Sequence, residues 1–213
     1  MSAGTARNSV AQKPPRAGLD LTGFPGGGQP EDSMFRAHSR EFDPWFFASH
    51  ENGRFNLADP NGTCYFAGGL ETAVREYYGE LVVDTNALST AAAAMLRVSV
   101  VHPPTGAVYA HVSGPGVSHY GITSELTTMG DYAITRAWAE RLKDDANGLR
   151  YNSRFNPGHE SWALFGKAGP APSLGVEPSR AVDGVAAVTA AGIAVLPDPP
   201  RKSSVRLVSD PRT

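Results

Sequence analysis

The sequence predicts a single domain that combines β-strands with amphipathic α-helices. Turn signals and alternating side chains indicate short strands across residues 52–67, and a helical apolar period follows directly in residues 70–78. A second helical period covers residues 131–146, between further apolar strands. With 213 residues, of which 41% are hydrophobic, the chain is long enough to bury one real core.

The start of the chain predicts a flexible tail. Residues 1–32 are rich in Gly, Pro, Ser and Ala and contain few large apolar groups. Such a segment cannot bury enough surface to offset its ordering entropy, so it is expected to be disordered. It lacks the apolar stretch of a secretory signal, and no strand or helix flanks Gly26–Gly28 to make a nucleotide-binding loop. Order is therefore expected to begin near Ser33.

The first predicted strand is Met34–His38, in which Arg36 and His38 share the face opposite Phe35. Four aromatic residues follow, and they are expected to form a hydrophobic plug beneath a loop: Phe42, Trp45, Phe46 and Phe47. A base-stacking role is disfavoured because the surrounding positive charge of single-strand binders is missing.

The stretch around Arg54 predicts a hairpin with a polar face. The Asn-Gly pair at residues 52–53 and the Asp-Pro-Asn-Gly run at residues 59–62 are turn signals. Gly and Asn tolerate positive φ, and Pro presets φ at the second position of a turn. Arg54 is placed on the first strand, where alternation puts it on one polar face with Asn56. On the second strand Tyr65 is expected to face a cleft, on the opposite side from the core residue Cys64.

The helix predicted at residues 70–78 leaves Glu76 outside the core. Its apolar stripe has helical spacing and consists of Leu70, Ala73, Val74, Tyr77 and Tyr78. Glu76 lies roughly 120° or more from the centre of that stripe, by the rule of about 100° per residue. Taken alone, such a Glu is usually a solvated surface charge, and the alternative is a carboxylate at the edge of a cleft. Arg54 and Tyr65 have similarly ordinary interpretations, as a surface ion pair and a packing residue.

Further helices and strands are predicted in this order: a helix over 87–95, a buried strand over 96–101, a return strand over 107–112, a helix over 131–146, and strands over 149–155 and 162–165. Ser153 lies on an otherwise apolar face, where its hydroxyl must find a hydrogen-bond partner in the core or in a ligand. Asp131 begins the long helix, where a negative charge suits the helix dipole. The pattern of residues 167–213 is weaker, with a possible last strand at residues 205–208, and it leaves packing on the core and mobility both open.

Composition and motif spacing disfavour several functional classes. A net charge of −2 and a pI near 6.3 give no general attraction to nucleic acid or to anionic membranes. A single cysteine, Cys64, excludes an internal disulfide framework and fits a reducing cytoplasm. The six histidines lack metal-binding spacing, so no metal site is expected. The Ala- and Val-rich segment 185–196 is too short for a bilayer, which takes about 20 residues.

Four segments together resemble the RES domain, a family that is named for its Arg, Glu and Ser and that includes toxins of bacterial toxin–antitoxin pairs. They are FRAHS around Arg36, NGRFN around Arg54, TCYFAGGLETAVRE through Tyr65 and Glu76, and GLRYNSR around Ser153. The family's pattern implies catalytic roles for Arg54, Tyr65 and Glu76. Arg54 and Tyr65 would also bind NAD, together with Ser153 and Arg36.

The resemblance implies one RES domain over residues 33–213, with its core at residues 33–166. The implied fold is α+β and similar to ADP-ribosyltransferase toxins, with twisted, mostly antiparallel sheets and packed helices. The implied activity is cleavage of the nicotinamide–ribose bond of NAD, as a phosphorylase or a glycohydrolase, with inorganic phosphate as a possible co-substrate and no separate cofactor. The expected partners are NAD and an Xre-type antitoxin with a helix-turn-helix domain. The expected location is the cytoplasm, without direct binding to nucleic acid or membrane.

The chemistry of these side chains fits that activity. The Glu76 carboxylate can stabilise an oxocarbenium-like state, Arg54 can grip a pyrophosphate through two N–H groups, and Tyr65 can pack against nicotinamide. Ser153 can contact the ribose side or the acceptor. Two alternatives stay open, a protein ADP-ribosyltransferase and a non-catalytic module that binds NAD or another protein.

Overall fold

Strands and helices alternate along the computed structural model, which describes residues 12–28 and 33–198. The strands are β1 (Gly26–Gly27), β2 (Met34–Ser39), β3 (Phe46–Phe47), β4 (Asn61–Ala67), β5 (Ala87–Ser89), β6 (Leu96–Val101), β7 (Tyr109–His111), β8 (Gly148–Asn152), β9 (Glu160–Lys167), β10 (Gly169–Pro170), β11 (Val176–Asp183) and β12 (Ala194–Leu196). The α-helices are α1 (Leu70–Tyr78), α2 (Thr90–Ala94), α3 (Glu125–Thr128), α4 (Tyr132–Leu142) and α5 (Gly184–Ala190). Short 3₁₀ turns lie at Gly79–Val82 and Val117–Tyr120.

Eight strands form one sheet, in the order β1-β7-β8-β9-β4-β2-β6-β11. Neighbouring strands run antiparallel except for β7 and β8, which are parallel. Two small sheets pair β10 with β3 and β12 with β5. Helices pack against a mostly antiparallel sheet, so the predicted α+β class is confirmed.

Alternation along β4 sorts its side chains between two faces of the sheet, as predicted. Cys64 and Phe66 are buried and pack with Trp45 and Phe47. This contact confirms the aromatic plug for Trp45 and Phe47, whereas Phe42 is exposed instead.

The two predicted long helices are also present, because their apolar stripes each find a surface to cover. In α1 the buried residues include Val74 and Tyr78, which pack against β6 and α5 in one cluster. At the start of α4 the Asp131 carboxylate accepts the Ala133 N–H and so caps the helix, and Trp138 fills the core on that side.

The prediction of a disordered tail is wrong for residues 12–28. These residues pack on the domain as an ordered arm. Gln12 is 2% exposed, and its amide donates to the Gly121 carbonyl and accepts the Thr123 N–H. The Trp138 indole N–H donates to the Lys13 carbonyl at 2.8 Å. The low apolar content of the arm misled the prediction because hydrogen bonds to distant residues hold it in place.

Replacing Gln12 by Ala should lower the free energy of unfolding by about 1–3 kcal/mol, because it leaves buried partners of the amide unsatisfied. Chemical denaturation of the full chain measures the change. Lys13→Ala is the matched control, since the Lys13 side chain is exposed and its backbone carbonyl is kept. Equal stabilities of the Gln12 and Lys13 variants would contradict an anchoring role for the arm.

Four local predictions also need correction. Arg54 lies in a turn rather than on a strand. The Thr63 hydroxyl donates to the Phe55 carbonyl and accepts the Leu57 N–H, and these bonds replace the backbone hydrogen bonds of a strand pair. The segment predicted as a helix over 87–95 divides into β5 and α2. The return strand shortens to β7 and pairs with β1 and β8 rather than with β6. The strand predicted over 149–155 ends at Asn152, so Ser153 begins a loop.

The region after residue 166, which the sequence left open, packs on the domain as far as residue 198. Strand β11 pairs with β6 at the edge of the large sheet, and α5 packs between α1 and β6. A possible last strand at residues 205–208 lies outside the described residues, as do residues 1–11 and 29–32 of the expected tail. Among the described residues, no helix has both the length and the apolar character needed to cross a membrane.

Candidate active site

A cleft of about 340 Å³ lies beside β4, within the size range of small-molecule sites, which is roughly 300–1,000 Å³. It opens where β2 and β4 diverge. Within the described strands, these neighbours are paired at one position only, between Phe35 and Ala67. Four of the predicted site residues line it: Arg36, Arg54, Tyr65 and Glu76. Further lining residues are His50, Asn52, Gly53, Asn56, Tyr77, Tyr132, Tyr151, Phe155 and Ser161.

A larger cavity of about 710 Å³ lies near the far end of β9, beside Phe47 and Lys167. Its described lining contains no carboxylate, histidine or tyrosine. The smaller cleft is therefore the candidate site, because it concentrates groups that can donate, accept and stabilise charge.

Glu76 is held on the wall of this cleft by the loop that follows β8. The Ser153 hydroxyl donates to Glu76 Oε1 at 2.5 Å, and the Asn156 N–H donates to Ser153 Oγ at 2.9 Å. The Asn156 side chain in turn donates to the Thr72 hydroxyl on α1, also at 2.9 Å. The fold thus joins the predicted Ser153 to the predicted Glu76, and Ser153 acts on Glu76 from a buried position.

Burial raises the pKa of the Glu76 carboxyl above its ordinary value. The Ser153 hydrogen bond is the largest opposing influence on this pKa, followed by the charge of Arg54 and the backbone N–H groups of Phe155 and Arg154. All of these groups favour the ionised form, so the site contains a partly desolvated carboxylate with fixed donors on one side.

Arg54 is held by three neighbouring groups. Its Nη1 donates to the Met129 carbonyl at 2.5 Å, its guanidinium lies 4.9 Å from the centre of the Tyr132 ring, and the Thr135 hydroxyl donates to its backbone carbonyl. Its Nη2 is buried and has no hydrogen-bond partner in the described structure. A buried donor without a partner is costly, and a ligand oxygen in the cleft would satisfy it.

Tyr65 presents its ring to the cleft and holds its hydroxyl in a fixed orientation. The hydroxyl donates to Asn56 Oδ1 at 2.9 Å and accepts the Phe55 N–H at 2.9 Å. Burial raises the pKa of the Tyr65 hydroxyl well above its ordinary range, so the phenol stays neutral.

Arg36 lines the cleft, and its side chain donates two hydrogen bonds to backbone carbonyls within the described residues. Its Nε donates to the Pro44 carbonyl at 3.0 Å and its Nη1 to the Tyr65 carbonyl at 2.6 Å. The guanidinium therefore bridges the gap between the diverging strands β2 and β4. Contact with a ligand stays a prediction for Arg36.

Several cleft residues carry no signal in the sequence that marks them as part of a site. Asn56 is a partial exception, since alternation placed it on the polar face with Arg54. Tyr132 and Tyr151 come from α4 and β8, more than 65 positions along the chain from Arg54. Only the pairing of distant elements brings these two rings to the site, and no local signal in the sequence identifies them.

Comparison with known families gives one match that covers most of the chain. The model of the RES domain matches residues 33–185. The chain belongs to the RES domain family. The matched part of this RES chain reaches past the predicted core at residues 33–166, through β11 to the start of α5.

A solved structure supports the fold of this RES domain. A chain in the crystal structure of the M. tuberculosis MbcT–MbcA toxin–antitoxin complex matches with a TM-score of 0.55 and 11% sequence identity, over 71% of this RES chain and 83% of that chain. At this identity the likeness shows a common fold. A search of curated proteins finds no match.

Proposed function

We propose that this RES protein is an enzyme that cleaves the nicotinamide–ribose bond of NAD. The observation that carries the proposal is the Glu76 carboxylate, which is partly desolvated on the wall of a cleft and oriented by Ser153. Membership of the RES family supports NAD as the substrate, because the resemblance implies this activity.

The reaction needs a group that favours positive charge on the ribose. When the bond between the anomeric carbon and the pyridinium nitrogen breaks, nicotinamide leaves with the electron pair and an oxocarbenium-like cation remains. A carboxylate that fixed donors hold in place stabilises this cation without having to reorganise. The acceptor oxygen, from water or inorganic phosphate, then bonds to the same carbon and loses its proton, giving ADP-ribose or its phosphorylated form.

The remaining cleft residues are assigned to two parts of the substrate, the charged pyrophosphate and the pyridine ring. The buried Arg54 Nη2 lacks a protein partner and is assigned to a pyrophosphate oxygen. Tyr65, Tyr151 and Phe155 provide aromatic surface for the pyridine ring.

We further infer that the protein is the toxin of a toxin–antitoxin pair. The RES family includes such toxins, and the matching fold comes from a toxin–antitoxin complex. The proposed partner is a cognate antitoxin of the Xre type, and the proposed site of action is the cytoplasm, where NAD would be consumed.

Purified full-length protein incubated with NAD, with and without inorganic phosphate, tests the activity. Products are resolved by chromatography and phosphorus NMR, with Glu76→Ala as the inactive control. Free ADP-ribose indicates a glycohydrolase, and a phosphorylated ADP-ribose that requires phosphate indicates a phosphorylase. Label from NAD on a protein would support the ADP-ribosyltransferase alternative, and saturable NAD binding without products would support a binding module.

The pH dependence of the reaction should report the Glu76 carboxyl. The proposed role needs the ionised form, so kcat should fall with decreasing pH through a pKa above the ordinary Glu value. Ser153→Ala removes the hydrogen bond that most favours the carboxylate, and its acid limb should therefore move to higher pH. Ser161→Ala, which alters a buried serine that lines the cleft, should keep the limb in place. Identical limbs in wild type and Ser153→Ala would contradict this assignment.

A further inference from the structure

The Tyr65 hydroxyl donates its proton to Asn56, so that proton is not available to a ligand in the cleft. A phenol has one proton to donate, and here it is directed at Asn56 Oδ1, while the Phe55 N–H occupies one acceptor site on the same oxygen. Toward a ligand, the hydroxyl oxygen can therefore only accept a further hydrogen bond.

The orientation of the Asn56 amide fixes the direction of its hydrogen bond with Tyr65. Asn56 is 1% exposed, and its Nδ2 donates to the His50 carbonyl at 2.8 Å. Because a carbonyl only accepts, the nitrogen must lie on the His50 side and the oxygen on the Tyr65 side. Gly53 leaves the space for this side chain, since a Cβ there would lie 2.2 Å from Asn56 Oδ1.

We propose that Asn56 is a positioning residue that fixes Tyr65 as a hydrogen-bond acceptor, and that this acceptor selects a dinucleotide with a carboxamide on its pyridine ring over one with a carboxylate. The inference rests on the proposed function, which places the pyridine ring in this cleft. A carboxamide offers an N–H to the Tyr65 oxygen. A carboxylate offers only acceptors, which would face another acceptor in a buried site.

The position of Tyr65 in the cleft suits this role. Tyr65 and Glu76 line the same 340 Å³ space, and Glu76 is assigned to the anomeric carbon to which the pyridine ring is attached. The carboxamide is attached to the pyridine carbon two bonds from the nitrogen that holds the ribose, so it lies close to the reacting carbon, and the proposal places it against Tyr65. Sites that use buried polar groups in this way discriminate strongly, because the wrong substrate leaves those groups unpaired.

The test compares kcat/KM for NAD and for nicotinic acid adenine dinucleotide, its carboxylate counterpart. Wild-type protein is expected to prefer NAD by at least about 100-fold. Asn56→Leu frees the Tyr65 proton to turn toward a carboxylate, so the preference should fall by at least about tenfold. Asn56→Asp keeps an acceptor for that proton and should retain the preference, while the loss of the donor to the His50 carbonyl lowers its stability. Gly53→Ala displaces Asn56 by contact and should act in the same direction as Asn56→Leu, which gives a second route if that variant fails to fold.

The ratio of the two substrates is the decisive readout, because a merely structural role would lower both rates together. Equal use of the two dinucleotides by wild type, or an unchanged ratio in both Asn56→Leu and Gly53→Ala, would overturn the inference. Calorimetric titration with the same dinucleotides separates it from the proposed function. If neither is consumed but wild type binds NAD more tightly and Asn56→Leu does not, the selection stands and the catalytic proposal fails. If neither is bound, both fail.

Discussion

Glu76→Gln is expected to reduce the release of nicotinamide from NAD by about 10²–10³-fold in kcat, the cost typical of removing one preorganised electrostatic group. Gln keeps the length of the side chain and an oxygen that can accept the Ser153 hydroxyl, so the loop after β8 should stay in place. What the substitution removes is the negative charge that the proposed mechanism places beside the developing cation. A kcat assay on NAD with matched protein concentrations measures the effect.

Glu71→Gln provides the matched control on the same helix. Glu71 is exposed and forms an ion pair with Arg75 at 2.9 Å, so its loss should leave turnover unchanged. If Glu76→Gln retained wild-type turnover in folded protein, the central catalytic assignment would be wrong.

The stability of Glu76→Gln should move in the opposite direction from its activity. Burial raises the pKa of Glu76 in the folded state, so protonation favours folding and the ionised form costs stability as pH rises through that pKa. Gln removes this cost, and the melting temperature of the variant should exceed that of wild type at pH 7. The difference should shrink toward pH 4, where wild-type Glu76 is protonated. A lower melting temperature at pH 7 would indicate that the carboxylate stabilises the fold.

Arg54→Lys is expected to raise KM for NAD by about 10–100-fold, because charge-assisted hydrogen bonds of this kind contribute roughly 1.5–3 kcal/mol. The substituted ammonium keeps the charge but loses the planar fork, which at present donates to the Met129 carbonyl and leaves Nη2 available to the ligand. Steady-state kinetics with NAD measures the effect.

Arg97→Lys is the control for that change, because Arg97 is exposed on β6 and is not among the cleft-lining residues. It should leave KM at the wild-type value. A fall in kcat for Arg54→Lys without a change in KM would show that Arg54 acts on the transition state rather than on binding.

Local pattern was sufficient for much of the scaffold. The alternation that places Cys64 in the core and Tyr65 toward a cleft depends only on the two-residue repeat of a strand. The same holds for α1 and for α4, whose periods and capping residue Asp131 are contained in consecutive residues. The RES resemblance then singled out Glu76 and Ser153, which no spacing rule connects.

Tertiary structure decided which of these groups meet. Composition failed for residues 12–28 because it counts only the apolar surface of the segment itself, whereas Gln12 and Lys13 are held by hydrogen bonds to residues more than 100 positions away. Arg54 was misplaced on a strand because the Thr63 side chain replaces the ladder, a choice that alternation cannot reveal.

By itself, the sequence determined the type of most elements, the face of each strand or helix that is apolar, and the family. The tertiary structure alone decided that Ser153 reaches Glu76 across 77 positions, that Arg54 lies over the Tyr132 ring, and that Asn56 directs the Tyr65 proton. The reason is physical. Side-chain periodicity is a property of neighbouring residues, whereas long-range contacts depend on which surfaces pack together to exclude water and satisfy buried polar groups.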